Sequence, residues 1–223
     1  DYDWITEQVK KHYESEDREW LAFMSGFAFG RPPYNKELYT IFYPHYERAI
    51  DNDVILKTHN NNGLVNHLTS FYFWKYETLA SEKLLFKFIN NAPTSQVGEL
   101  IHFIWRQENY PKKLSEFEQQ EFQQIIIDLW KFLTDKYEKS NIDEEQKNLA
   151  TLSNWIVFAP ELNEIYTTLI LKSCKHIDKV HSTHELLENL VALKTKGNPT
   201  TSAKAIAEIL YTLNFRDYMA TYD

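Results

Sequence analysis

The chain has 223 residues with a formal net charge of −8, 43% hydrophobic and 15% aromatic side chains, and one cysteine. This length and apolar content suffice for a sizeable core, while a single cysteine excludes an internal disulfide framework and fits a reducing cytoplasm. No third of the chain is basic, which argues against a nucleic-acid partner because neutralisation of phosphates supplies most non-specific affinity. No apolar run approaches the roughly 18 residues that a membrane helix needs, and no secretory signal pattern opens the chain. We therefore expect a cytoplasmic protein with neither a membrane nor a nucleic acid as its partner.

The N-terminal part of the chain, residues 1–56, is predicted to be helical. Four apolar residues recur at helical spacing and indicate one buried helix face: Trp20, Phe23, Met24 and Phe27. A second helix is predicted over residues 35–50, with a kink or break near Tyr43 because Pro44 removes a backbone donor. The asparagine-rich stretch Lys57–Gly63 is predicted to be a loop that separates these helices from the rest.

The remaining helices are predicted in pairs. The predicted pairs are 64–77 with 81–91, 95–108 with 115–138, 143–158 with 161–177, and 183–195 with 199–213. Several starts carry capping residues, since Ser115 is followed by Glu118 and Asp143 by Gln146, while Pro160 suits the first position of a helix. The pairs recur at roughly 30 to 50 residues, the range of stacked helical-hairpin repeats.

The last predicted pair is the clearest unit in the chain. Ser182 and Glu185 form the pattern of a capping box that starts its first helix. Gly197 can take the left-handed conformation that ends this helix, and Asn198 with Pro199 can start the next. The predicted buried stripes are Leu186, Leu187, Leu190, Val191 and Leu193 in the first helix, and Ala203, Ile206, Ala207 and Leu210 in the second.

These patterns predict an all-α protein of about ten helices, in antiparallel hairpins stacked as an α-solenoid. In period and hairpin construction the array resembles HEAT-like and tetratricopeptide-like repeats. We expect one domain over residues 1–223, with N-terminal helices in 1–56 and stacked pairs in 64–213. Because the sequence begins at Asp1 and not at methionine, we expect it to be part of a larger protein.

The N-terminal helices carry a second resemblance. Three segments carry it: Trp20-Leu21-Ala22-Phe23-Met24-Ser25-Gly26, Leu38-Tyr39 and Tyr46-Glu47-Arg48-Ala49-Ile50. This region is similar to the helical C-terminal modules of large bacterial proteins that carry a sirtuin-like or nucleotide-hydrolysing domain upstream, many of them linked to defence against phage. The resemblance implies a sensing or scaffolding module, and it supplies no active-site residue because the catalytic domain of such proteins has no counterpart in this sequence.

The strongest candidate for a metal site is a group of four potential zinc ligands close together in sequence: Cys174, His176, His181 and His184. Their spacing matches none of the usual zinc patterns, and His184 falls in the first turn of a predicted helix. A plain connection between two helices explains the same residues. We therefore expect no cofactor.

Other catalytic patterns are weak. Glu99 and His102 have the Glu-x-x-His spacing of di-iron carboxylate bundles, but the chain has no second copy of this motif. Cys174 has lysine neighbours that could lower the pKa of its thiol, although a lone helical cysteine is more often a small core residue. The sequence contains no phosphate-binding loop, no Gly-x-Ser-x-Gly and no His-Glu-x-x-His motif. We therefore expect a protein that is not an enzyme.

Aromatic residues supply the candidate interaction surface. The run from Phe71 to Tyr76 places aromatic rings on all sides of a predicted helix, so it is either an interior helix or a helix with an exposed aromatic strip. Trp and Tyr are favoured anchors of protein interfaces. The residues predicted to form the surface are Tyr39, Tyr43, Tyr72, Trp74 and Tyr76.

The sequence thus favours a non-catalytic module that binds another protein, or another domain of its own chain, as a scaffold or sensor. One alternative is a helical metal-dependent hydrolase that uses the neighbourhood of His181 and His184. The other is a structural spacer or oligomerisation unit, which would associate with copies of itself and with no foreign partner.

Overall fold

The computed structural model describes residues 2–29, 35–52, 62–179 and 183–212. Over these residues the chain is helical and contains no β-strand, so the all-α prediction is confirmed. The α-helices in this part of the chain are α1 (Tyr2–Tyr13), α2 (Asp17–Phe29), α3 (Lys36–Asp51), α4 (Asn62–Phe73), α5 (Leu84–Asn91), α6 (Thr94–Trp105), α7 (Glu116–Tyr137), α8 (Asp143–Thr151), α9 (Glu164–Ser173), α10 (Thr183–Leu193) and α11 (Pro199–Thr212). Three 3₁₀ helices accompany them: Pro111–Lys113, Leu152–Phe158 and Cys174–Lys179.

Backbone contacts divide the chain into two compact units, Asp1–Phe103 and Ile104–Asp223. Each unit has its own core and is described by itself. The organisation as one domain and the stacking of hairpins into an α-solenoid stay predictions.

In the first unit, α2 and α3 place large side chains in the core. Trp20 and Met24 of α2 have no exposed surface, and Tyr46 of α3 is also buried. The side chain of Asn35 accepts a hydrogen bond from the amide of Leu38 at 2.8 Å and so caps the start of α3. This helix continues through Pro44 to Asp51, so the chain does not break at the proline.

Arg48 of α3 joins the end of α1 to the start of α2. Its guanidinium donates to the carbonyl oxygen of Tyr13 at 2.6 Å and to the carboxylate of Asp17 at 2.8 Å. The same group lies 4.3 Å from the ring centroid of Trp20, within the range of a cation–π interaction. The side chain of Arg48 therefore contacts both helices at the turn between them.

The second residue of helix α4 is a glycine that lies next to α2. A Cβ atom on Gly63 would overlap the carbonyl oxygen of Ala28, so the close approach of α4 to α2 depends on the absence of a side chain there. The predicted loop Lys57–Gly63 lies outside the described residues except for its last two positions, which are the first two residues of α4.

In the second unit, the long helix α7 forms the centre of the core. The capping box of Ser115 and Glu118 is present as predicted and starts this helix. The buried residues of α7 recur at helical spacing: Phe122, Ile126, Leu129, Trp130, Leu133, Thr134 and Tyr137. Trp130 packs against Trp155 with ring centroids 6.1 Å apart, and its indole N–H donates to Ser173 at 2.9 Å.

One predicted helix start and one predicted capping box in this unit were wrong. Helix α9 begins at Glu164 and not near Pro160, because Asn163 accepts a hydrogen bond from the amide of Tyr166 and acts as the cap. Helix α8 begins at Asp143 as predicted, but Gln146 does not complete a capping box. Its side chain instead donates to the carbonyl oxygen of Ser140 at 2.9 Å.

The last two helices confirm the predicted turn and correct one predicted face. Gly197 has a φ of +68°, and the side chain of Asn198 accepts from the amides of Thr200 and Thr201 at the start of α11. The predicted cap Ser182 lies outside the described residues. The buried residues of α10 are Leu186, Leu190 and Leu193, whereas Val191 is exposed.

The buried face of α11 differs from the predicted one. Ser202, Ala205 and Ile209 are buried, while Ala203 and Ala207 are exposed. The backbone of α11 approaches α9, whereas α10 approaches the 3₁₀ helix Leu152–Phe158. The predicted stripe was wrong by one position because the burial of α11 is set by α9 and not by its own most apolar face.

No helix within the described residues is long and apolar enough to cross a membrane.

Candidate interaction surface at Tyr43 and Trp74

The predicted surface residues occupy three levels of burial. Tyr39 and Tyr72 are buried, so neither offers an open ring to a partner. Trp74 is 42% exposed, and Tyr43 and Tyr76 are half-buried. The aromatic run thus combines both predicted alternatives, since its first residues lie in the core and Trp74 lies at the surface.

The exposure of Trp74 follows from the way α4 ends. The amide N–H of Lys75 donates to the carbonyl oxygen of Tyr72 at 3.0 Å, and the amide N–H of Tyr76 donates to the carbonyl oxygen of Phe71 at 2.8 Å. These are the two hydrogen bonds of a Schellman motif, in which one residue adopts a left-handed conformation. Lys75 is that residue, with a φ of 62°. The helix therefore stops at Phe73, and the chain turns there.

Four of the five predicted aromatic residues form one chain of ring contacts. The Trp74 and Tyr76 rings are perpendicular with centroids 6.3 Å apart, and Tyr76 lies 6.0 Å from Tyr39. Tyr39 in turn meets Tyr43 edge to face at 5.7 Å. We call Tyr43, Trp74 and Tyr76 with the neighbouring carboxylates Glu47 and Glu82 the Tyr43–Trp74 surface. Tyr72 does not belong to it.

A buried carboxylate supports this surface from below. Glu77 is only 1% exposed, and one of its oxygens accepts a hydrogen bond from the hydroxyl of Tyr39. The other oxygen accepts from the amide of Leu85 at 3.1 Å. Leu85 lies in the first turn of α5, and the residue before that helix, Lys83, supplies no side-chain cap. Glu77 therefore caps α5 from a distant position, where the helix dipole stabilises its negative charge.

Neighbouring carboxylates make the electrostatic environment of Tyr43 negative. Partial burial raises the pKa of the Tyr43 phenol, and the carboxylates of Glu77 and Glu47 raise it further. The Tyr43 hydroxyl donates to the backbone carbonyl of Glu82 at 3.2 Å, which fixes its ring. Glu47 forms an ion pair with Lys87 of α5.

Sequence reasoning missed three buried polar residues of this unit. Glu77 reads as an ordinary acidic residue in the sequence, and His45 and His67 stood in no motif. His45 accepts from the indole N–H of Trp20 at 3.2 Å and donates to the carbonyl of Val9 at 3.1 Å. Only the neighbouring aromatic residues could have indicated that these polar groups lie in a core.

Burial controls the chemistry of both histidines. Each is 1% exposed, and desolvation of the charged form lowers the pKa of His45 and of His67 to about 4. The ring of His67 meets the hydroxyl of Tyr46 at 3.0 Å. Both imidazoles are therefore neutral near pH 7 and act as structural hydrogen-bonding groups.

The metal candidates are placed very differently from one another. Cys174 is buried, and burial raises the pKa of its thiol to about 12, so it is a protonated core residue. His184 is exposed on α10 with its ring nitrogen 3.7 Å from Glu188, and His176 is half-buried. His181 lies outside the described residues. In the described ranges no group of three or more His, Cys, Asp or Glu side chains is arranged to hold a metal ion, and the four-residue site stays a prediction.

A groove of about 610 Å³ lies between α1 and α3 in the same unit. Thr6 and Tyr13 line its α1 side, and Ile41 and Pro44 line its α3 side. His45 also lines it, but both of its ring nitrogens are hydrogen-bonded within the protein. The groove therefore offers mainly shape and apolar contact.

Comparisons of the chain with protein-family models, with curated proteins and with solved structures found no match.

Proposed function

We propose that this chain is a non-catalytic module that binds another protein, or another domain of its own polypeptide, through the Tyr43–Trp74 surface. The observation that carries the proposal is the exposure of Trp74 beside two half-buried tyrosines. Trp and Tyr residues supply a large share of the binding energy at protein interfaces, and they do so where they anchor the centre of a contact.

The rigidity of the surface supports the same function. Ring contacts link Trp74 through Tyr76 to the buried Tyr39, and a hydrogen bond fixes the hydroxyl of Tyr43. When a partner binds there, the side chains of this surface lose little conformational entropy. Less of the favourable contact free energy is therefore offset, and the affinity is higher.

The proposal also covers the helical array that carries this surface and the larger protein around it. We place the surface on an array of stacked, HEAT-like helical hairpins that acts as a scaffold or sensor within a larger cytoplasmic protein. The sharp turn at Gly197 between α10 and α11 supports hairpin construction. The resemblance of residues 20–50 to the helical C-terminal modules of large bacterial proteins, many of them linked to defence against phage, points in the same direction.

Site-specific photo-crosslinking tests this function. A photoreactive phenylalanine replaces Trp74 in the chain expressed in its own cells, and the matched control carries the same group at Phe117, which is 68% exposed in the other unit. We expect a discrete adduct with a foreign protein, or with another domain of the same polypeptide, from position 74 and not from position 117. An adduct between two copies of the chain would favour the oligomerisation unit instead, and the absence of any adduct specific to position 74 would overturn the proposal.

A further inference from the structure

A cavity of about 610 Å³ lies beside α10 in the second unit. Four residues of α10 at helical spacing form one of its walls: Glu185, Glu188, Asn189 and Ala192. The leucines that α10 buries in the core lie on a neighbouring face of the helix, so the cavity runs along its polar side. The volume falls within the roughly 300–1,000 Å³ that is usual for small-molecule sites.

The other lining residues come from the end of α6 and from the 3₁₀ helix Leu152–Phe158. Trp105 is the last residue of α6, and Arg106 and Glu108 follow it in a turn. The amide of Glu108 donates to the carbonyl oxygen of Trp105 at 3.1 Å and closes this turn. Val157 lies in the 3₁₀ helix that α10 approaches. Because Trp105 and Val157 are half-buried, they give the cavity an apolar part.

Side chains of both charges line this cavity without pairing with one another. Among the described residues, neither the guanidinium of Arg106 nor the carboxylate of Glu185 has an ion pair. Glu188 lies 3.7 Å from the ring of His184, which is charged only when it is protonated. Within the described ranges these carboxylates are not arranged to hold a metal ion. A ligand with one charge of each sign can therefore meet both kinds of side chain.

We propose that this cavity binds a free α-amino acid with an apolar side chain. Arg106 pairs with the carboxylate of the ligand, because a guanidinium offers a carboxylate two parallel N–H donors. Glu185 and Glu188 accept hydrogen bonds from its ammonium group. Its apolar side chain lies against Trp105 and Val157, where it leaves water.

Ligands with a single charge fit this cavity less well. An amine without a carboxylate would bring its cation into a cavity that also holds a guanidinium. A phosphate or a simple carboxylic acid would meet three glutamates there. The inference does not rest on the proposed function, because the Tyr43–Trp74 surface belongs to the first unit and this cavity to the second.

NMR titration of the full 223-residue chain with L-leucine and with L-phenylalanine tests this inference. We expect saturable binding of at least one of the two. Leucinamide lacks the negative charge of leucine, and N-acetyl-leucine lacks its positive charge. Each analogue should therefore bind at least about threefold more weakly than leucine. The absence of saturable binding by both amino acids, or equal binding of leucine and its two analogues, would overturn the inference.

Two variants assign the charges of the ligand to residues of the cavity. Arg106 and Glu185 are exposed, so Arg106→Gln and Glu185→Gln should keep the thermal unfolding curve of the original chain. We expect Arg106→Gln to bind leucine and leucinamide with equal affinity. Glu185→Gln should bind leucine about threefold more weakly and leave the affinity for N-acetyl-leucine unchanged.

The matched control for these variants is Arg18→Gln, which removes an exposed arginine of the first unit. It should leave the affinity for leucine unchanged. Binding of leucine that is insensitive to Arg106→Gln, or a loss of the same size in Arg18→Gln, would overturn the assignment of the site to this cavity. Neither result would bear on the crosslink from position 74, which tests the proposed function separately.

Discussion

The hydroxyl of Tyr39 donates a hydrogen bond to the buried carboxylate of Glu77, which lies 38 residues further along the chain. Because Glu77 also accepts from the amide of Leu85, one carboxylate connects α3 to the first turn of α5. Burial and the neighbouring Glu77 carboxylate raise the pKa of the Tyr39 phenol well above its usual value, so it remains a hydrogen-bond donor. The pair forms the base on which Tyr76 and Trp74 are held.

Substitution of Tyr39→Phe should destabilise the protein by about 1.5–3 kcal/mol, because it removes a hydrogen bond to a buried charged group and little else. Urea unfolding measures the loss. The matched control is Tyr211→Phe, since Tyr211 is 90% exposed and the same change there should alter stability by less than about 0.5 kcal/mol. Equal stability of the two variants would show that the Tyr39–Glu77 bond contributes nothing net.

Substitution of Lys75→Gly should stabilise the protein by about 1 kcal/mol, because glycine adopts the φ of 62° without steric cost. The same exchange at Lys83, where φ is −88°, is the control and should give no gain. Thermal and urea unfolding of both variants check this. A loss of stability at position 75 would mean that contacts of the lysine side chain stabilise the folded state by more than the left-handed backbone conformation destabilises it.

Two glycines of the first unit should respond in opposite directions to alanine. Gly63→Ala should cost about 1–3 kcal/mol, because a Cβ atom there forces α4 away from the backbone of Ala28. Gly26 lies inside α2 with open space where an added methyl group would lie, so Gly26→Ala should gain about 0.5–1 kcal/mol from helix propensity. Urea unfolding should therefore place the original chain between the two variants, and a Gly63→Ala variant as stable as the original chain would contradict this close approach.

Acid should destabilise the protein over an unusually high pH range. His45 and His67 have a pKa of about 4 in the folded chain against 6.5 for the free side chain, so between these values the unfolded state binds more protons. Their stabilising contribution is complete above pH 6.5 and falls as the pH drops towards 4. The slope of unfolding free energy with pH should approach about 2.7 kcal/mol per unit, half from each histidine.

Urea unfolding at a series of pH values between 7 and 5 measures this slope, above the range in which most carboxylates titrate. Substitution of the exposed His184→Gln should leave the slope unchanged, whereas His67→Gln should reduce it to about half. A flat profile in the original chain would contradict the burial of both imidazoles in their neutral form.

The features that could be predicted from the sequence are those fixed by neighbours along the chain. The capping box of Ser115 and Glu118 and the turn from Gly197 to Pro199 each involve residues within a few positions, so their patterns are visible without a structure. The position of α9 failed because Pro160 and Asn163 both suit a helix start, and sequence gives no ranking between them.

The features that could not be predicted depend on distant neighbours. The interior face of α11 is made of Ser202, Ala205 and Ile209, and the first two are small residues that give almost no hydrophobic signal. Tyr39 was expected at the surface but is buried by Phe71, Tyr76 and Glu77, which lie on other segments. Aromatic spacing indicated the region, and only tertiary contacts decided which of its rings remain open.

The contacts of Arg48 show that a residue of the same charge cannot always replace another. Its guanidinium uses separate nitrogens for Tyr13 and Asp17 while its flat face covers Trp20. Lysine would keep the charge but has one nitrogen and no flat face, so it could not hold all three. An exchange that sequence comparison scores as conservative would separate the end of α1 from the start of α2, and relatives that share this turn should retain arginine more strictly than they retain its charge.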